Sequence, residues 1–134
     1  MTAPLRFTRA VLFWRRIMLT IFTLALALNA VLDGDTVTIA GDRIRIANID
    51  APELHQAKCD AEHRLAEVAR ARMVELLASG KVEVHPGDPL DGRLKDRHGR
   101  TLATISVDGR DVGEIMIAEG LARPWEGKRK PWCQ

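Results

Sequence analysis

Between Val31 and Ile49 the chain alternates in character. Thr36, Thr38, Arg43 and Arg45 take turns with Val37, Ile39, Ile44 and Ile46, and Gly41-Asp42 stands in the middle. A period of two around a glycine-containing turn commits this stretch to a half-buried antiparallel pair, with strands over Val31–Ala40 and Arg43–Ile49. Asp50-Ala51-Pro52-Glu53 closes the second strand, because Pro52 has no N–H to give to a ladder. A chain of 134 residues has room for one core around such a pair, not two.

The rest of the chain supplies what packs on that hairpin. Asp60 to Ser79 reads as an amphipathic helix, with Ala61, Leu65, Ala69, Met73 and Leu76/Leu77 on its apolar face. Glu62, Arg64, Glu67, Arg70 and Glu75 form its solvated face, and Gly80 stops it. Lys81–His85 is a short strand, Pro86–Gly99 a polar loop, and Arg100–Val107 a further strand closed by Asp108-Gly109. Asp111 with Glu114 three residues later marks a capped second helix, with Ile115, Met116 and Leu121 inward and Gly120 at its end. Arg123 to Gln134 is a basic tail carrying Trp125 and Trp132. This order predicts an α+β, mainly β fold. A five-stranded Greek-key barrel of the OB type with two to three attached helices ranks first, with a generic α+β sheet behind it.

Charge separates the N-terminus from this domain. Arg6, Arg9, Arg15 and Arg16 precede residue 31, and no acid occurs before Asp33. Ile17–Leu28 is an almost unbroken apolar run, and Ala25-Leu26-Ala27 offers small residues at a peptidase spacing. Residues 1–27 are therefore expected to be a cleaved secretory signal, or else a retained membrane anchor, with residues 28–134 as the working domain. The third reading makes Ala27–Leu32 the start of the first strand. Without the four leader arginines, 16 basic residues face 18 acidic ones, a net of −2. Affinity for a polyanion must then come from local placement of arginine. A 46% hydrophobic and 28% charged composition excludes disorder, and the two cysteines show no zinc-ligand spacing.

Five side chains stand in positions where chemistry is possible. Asp35 lies in Asp33-Gly34-Asp35-Thr36, and Asp50 ends the paired strand. Hairpin pairing brings them towards one edge, where two carboxylates and the Ala51 carbonyl suit a hard cation, Ca²⁺ or Mg²⁺. The alternative is a structural turn and a polar strand end. Arg45 and Arg100 are guanidiniums that would clamp a phosphodiester and the extra charge of its transition state; taken singly, each is also an ordinary surface ion-pair residue. Glu53, stiffened by Pro52, is placed to orient or deprotonate water.

The order of these pieces is more specific than any one of them. Asp-Gly-Asp-Thr from Asp33, Arg-x-x-x-x-Asp-x-Pro-Glu from Arg45, and Asp-x-x-Gly-Arg from Asp96 together resemble the thermonuclease family, the staphylococcal-nuclease-like domains. Ala118-Glu119-Gly120-Leu121-Ala122 is similar to that family's last helix. The resemblance runs from about Val31 to Trp125. It implies an OB-fold barrel and Ca²⁺-dependent hydrolysis of DNA and RNA. Asp35, Asp50 and the Ala51 carbonyl would bind Ca²⁺, Arg45 and Arg100 would contact phosphate, and Glu53 would handle the attacking water. The chain has no tyrosine, and His98 stands where the family commonly has a phenol. Trp125 or Trp132 is then the expected stacking platform.

The resulting expectation is an exported monomeric nuclease acting on DNA and RNA, single strands favoured, with no stable protein partner. A non-catalytic OB-fold module for single-stranded nucleic acid is the rival. A membrane-anchored envelope interaction domain, with the leader retained, is the third reading. Cys59 and Cys133 are the only cysteines; in an exported protein they would pair and pin the tail, and in a reducing compartment they would stay free.

Overall fold

The computed structural model describes residues 29–134; the leader expected over residues 1–27 lies outside them. The described chain runs β1 Ala30–Asp33, β2 Thr36–Ile39, β3 Asp42–Ile46, β4 Ile49–Asp50, α1 Asp60–Ala78, β5 Val82–Pro86, β6 Thr101–Val107, β7 Arg110–Asp111, α2 Val112–Ala118 and β8 Arg123–Pro124. The main sheet has the order β1-β2-β3-β6-β5, with β7 added to β6, and β4 and β8 form a small second ladder. Strands β3 and β6 are parallel, and the other pairs are antiparallel. No helix of the described residues is long and apolar enough to cross a membrane.

The hairpin read from the alternation is β2–β3, joined through Ala40-Gly41 with Ile39 opposite Asp42. Both turn residues have positive φ, 50° and 81°, the requirement of a tight two-residue turn whose twist matches the strands. Two expected strands are each split. Val31–Ala40 breaks at Gly34-Asp35 into β1 and β2, and Arg43–Ile49 breaks at Ala47-Asn48 into β3 and β4. The first break has a packing cause. A Cβ on Gly34 would stand 3.0 Å from Ala51 Cβ and 3.1 Å from Ala69 Cβ, so only glycine lets this turn sit against both.

At the level of class the fold is as expected, a mixed sheet with two helices and mostly strand. The finer expectation, a five-stranded Greek-key barrel of the OB type, is not established by these ladders. Among the described residues no ladder joins β1 to β5, so the main sheet is open at the hydrogen-bond level. Its β1 side is met by α1, and Arg70 Nε donates to the Val31 carbonyl (2.9 Å). A side chain thus meets backbone that further pairing would otherwise use.

Val37, Ile44, Ile46 and Ile49 from the strands, Ala69 and Met73 from α1, Ile105 from β6, and Val112 and Met116 from α2 make one core. Each fully buried large side chain contributes about 1.5–3 kcal/mol relative to exposure. The buried face of α1 is Glu62, Ala66, Ala69, Met73 and Leu76. It is rotated from the expected stripe: Ala61 is exposed and Glu62 is inside. Helix α2 is capped as its sequence predicts, Asp111 accepting from the Glu114 N–H (2.9 Å).

Candidate active site

Two of the buried aspartates lie in or just after the breaks that split the strands. Asp35 sits in the β1–β2 turn at 1% exposure, and Asp50 ends β4 at 2%. Asp35 is built into the structure: Oδ2 accepts from the Ala51 N–H (2.8 Å) and Oδ1 from the Thr36 hydroxyl (3.2 Å). Ala51, next to Asp50 in sequence, is thereby tied to Asp35 in space. The β4–β8 ladder places Asp50 opposite Arg123, whose Nε and Nη2 both lie 3.3 Å from Oδ2.

Arg45 lies on β3 across from Thr36 and is 7% exposed. It donates to the carbonyls of Ile46 and Ile49, the latter at 2.8 Å, and its Nη2 is 3.5 Å from Asp35 Oδ2. Its guanidinium carbon stands 5.4 Å from the centre of the Trp125 ring. These contacts fix the direction of a side chain that a surface arginine would leave free. Arg100, just before β6, is held by Asp96: Nε donates to Oδ2 (2.6 Å) and the backbone N–H to Oδ1 (2.9 Å).

Glu53 follows Pro52 and faces a different neighbour from any the sequence suggested. Arg129, from the tail, pairs with Glu53 Oε1 and stands 3.6 Å from Asp50 Oδ1. The backbone of Glu53 is held from behind, its N–H donating to Glu62 Oε1 (3.2 Å) while Lys58 N–H donates to Glu62 Oε2 (2.7 Å). Glu62 was expected on the solvated face of the helix. Its burial is explained by these two loop N–H groups, which need an acceptor. Of the two states open to Cys59 and Cys133, the structure has the disulfide, and Cys133 Sγ lies 3.6 Å from Glu62 Oε2.

Burial sets the electrostatics. Asp33, Asp50 and Glu53 all have carboxyl pKa values raised above the ordinary range, with loss of water as the main cause. Arg129 opposes the rise at Asp50 and Glu53, and Asp35 adds to it at all three. Asp50 Oδ1 is buried without a hydrogen-bond partner. An all-oxygen donor set of Asp35 and Asp50 with an orphaned carboxylate oxygen fits a hard divalent cation.

A groove of about 1170 Å³ runs past this centre. Arg45, Glu53, Arg100, Trp125 and Arg129 all line it, whereas Asp35, Asp50 and Trp132 do not. Seven arginines and lysines line it against five acids, so the local balance is positive where that of the domain is negative. Of the two candidate platforms only Trp125 reaches the groove; Trp132 lies under Arg123, 3.9 Å from its guanidinium. The sequence reading did not single out Arg123 and Arg129, although the basic, tryptophan-bearing tail was their visible signal.

A family model described as "Staphylococcal nuclease homologue" matches residues 43–132. The chain belongs to the staphylococcal nuclease family. It is 34% identical over 100 residues to "Endonuclease YncB" of Bacillus subtilis (strain 168), covering 72% of this chain and 46% of that protein. It is 31% identical over 97 residues to "Succinoglycan biosynthesis protein ExoI" of Rhizobium meliloti (strain 1021), covering 69% and 48%. To "Micrococcal nuclease" of Shigella flexneri it is 30% identical over 114 residues, covering 75% and 58%. The chain spans about half the length of these curated relatives.

Proposed function

We propose that this staphylococcal nuclease family member is a cation-dependent nuclease that hydrolyses phosphodiester bonds of DNA and RNA. The observation that carries the reading is a basic groove lined by Arg45, Glu53 and Arg100, with two buried carboxylates tied to that wall: Asp35 lies beside Arg45, and Asp50 is linked to Glu53 through Arg129. The relatives named as nucleases support it.

In this reading Asp35, Asp50 and the Ala51 carbonyl would hold Ca²⁺, which when bound would polarise a phosphoryl oxygen and water. Arg45 and Arg100 take the non-bridging oxygens of the phosphodiester. Their planar forks match the trigonal charge that develops in the transition state. Their anchors, the Ile46 and Ile49 carbonyls for Arg45 and Asp96 for Arg100, fix those forks before substrate arrives. Glu53 accepts a proton from, or orients, the attacking water. Its raised pKa brings it nearer the range of an effective general base. Trp125 offers the groove a ring on which a base stacks, which favours flexible single strands.

The domain is read as an OB-type barrel whose ladders stop short of closure, and as a monomer. Export by the basic-apolar leader is part of the proposal, with a retained anchor as the alternative. The disulfide supports an oxidising destination. The test is degradation of single-stranded DNA, duplex DNA and RNA by the full chain with Ca²⁺ and then with excess chelator. Ca²⁺-dependent cleavage is expected. Binding without cleavage by folded protein would replace the nuclease with the nucleic-acid-binding module.

A further inference from the structure

The tail is tied down over the acidic centre more heavily than a polar surface segment requires. Arg123 holds Asp50 with one edge and donates to the Lys130 and Pro131 carbonyls with the others. Its guanidinium lies over Trp132, and Cys133 is bonded to Cys59 just before α1. Trp125 N–H donates to the Asn48 carbonyl (3.0 Å) at the other end of the strap. Within this strap Arg129 lines the groove, while Asp50 behind it does not. Arg129 Nη1 pairs with Glu53 Oε1 and is 3.6 Å from the otherwise unpartnered Asp50 Oδ1.

We propose that Arg129 is the built-in counter-cation of the acidic centre, held on a disulfide-tethered strap between Asp50 and Glu53 until a divalent cation displaces it. The inference rests on the reading of Asp35 and Asp50 as a cation site. A positive charge beside ionised carboxylates that have lost water offsets their repulsion. Arg129 beside Asp50 Oδ1 and a dication held by Asp50 repel each other and claim the same carboxylate. The two therefore compete. Only three residues lie between Arg129 and Cys133, so the disulfide keeps the guanidinium at high effective concentration beside the site. Once displaced, it stays on the groove wall, facing the phosphodiester. The strap thus links cation loading to the number of guanidiniums offered to substrate.

The experiment is calorimetric titration of Ca²⁺ into the full-length oxidised chain without nucleic acid. Wild type, Arg129→Gln and Lys130→Gln are compared. Lys130 is the next residue, and its charge is spent on Glu126. Arg129→Gln should bind Ca²⁺ up to about fivefold more tightly, the size expected for losing one partly exposed competing ion pair. Lys130→Gln should stay within about twofold of wild type, since it removes the same charge without the contact. Reducing the disulfide should tighten binding in wild type but not further in Arg129→Gln. Equal affinity in wild type and Arg129→Gln overturns the inference alone, as does an equal gain in Lys130→Gln. No Ca²⁺ binding in any of the three overturns the cation-site reading and the inference with it.

Discussion

Glu62 shows how a single buried carboxylate positions chemistry it does not perform. It accepts from the N–H groups of Glu53 and Lys58, so the loop between Pro52 and α1 is shaped by one side chain. Glu62→Ala leaves both N–H groups without their acceptor. It should cost about 1–3 kcal/mol of stability, read from urea denaturation, and lower activity through the misplacement of Glu53. An unchanged midpoint would contradict this account of the loop. Gly34 is the companion case in the other loop. Gly34→Ala pushes a methyl to 3.0 Å from Ala51 Cβ and 3.1 Å from Ala69 Cβ, and should destabilise by about 1–3 kcal/mol. A melting temperature equal to wild type would show that the turn can retreat. In the sequence Gly34 looked like a turn glycine. The need for it is in fact the approach of α1, which no local pattern contains.

At the scale of elements, the loop before β6 delivers Arg100. Asp96 is its organiser, accepting from the backbone N–H groups of His98 and Arg100 and from Arg100 Nε. Burial pushes the Asp96 pKa up, but these donors outweigh it and hold the carboxyl below its ordinary value. A lowered folded-state value contributes stability that is fully present above the ordinary aspartate range and is lost as pH falls through the lowered value. The Arg100 Nε–H resonance should therefore be constant at neutral pH and move only on acidification below about pH 4. Asp96→Asn should abolish that transition and loosen Arg100 at all pH values. A transition near pH 6 would assign the loop's order to a histidine instead. The alternation around Gly41 made β2–β3 legible, and the Asp111–Glu114 spacing did the same for α2. The split strands were not legible, because β1 and β4 are four and two residues long and their breaks are set by tertiary contacts.

For the whole molecule, Cys59–Cys133 closes a span of 74 residues and joins the tail to the loop that carries Glu53. On the chain-entropy account such a crosslink contributes about 4 kcal/mol by restricting the unfolded chain. Reduction should lower the unfolding free energy by about that amount in urea, and an unchanged midpoint would contradict it. The five side chains proposed for chemistry were legible because their order and spacing are carried by short motifs. Arg123 and Arg129 were not, because the tail has no periodicity and its place over Asp50 follows from the β4–β8 ladder and the disulfide, both non-local. The same non-locality explains why an acidic domain has a basic groove: arginines from β3, the loop before β6 and the tail meet only after folding.

The central claim is that Glu53 and Arg100 act on a phosphodiester held in this groove. Its most direct test is the single-turnover rate of oligonucleotide cleavage with saturating Ca²⁺, for wild type, Glu53→Gln and Arg100→Gln. Both variants should fall by roughly 100-fold or more, with circular dichroism spectra like that of wild type. Wild-type rates in both variants would contradict the assignment and leave these residues as parts of a binding surface.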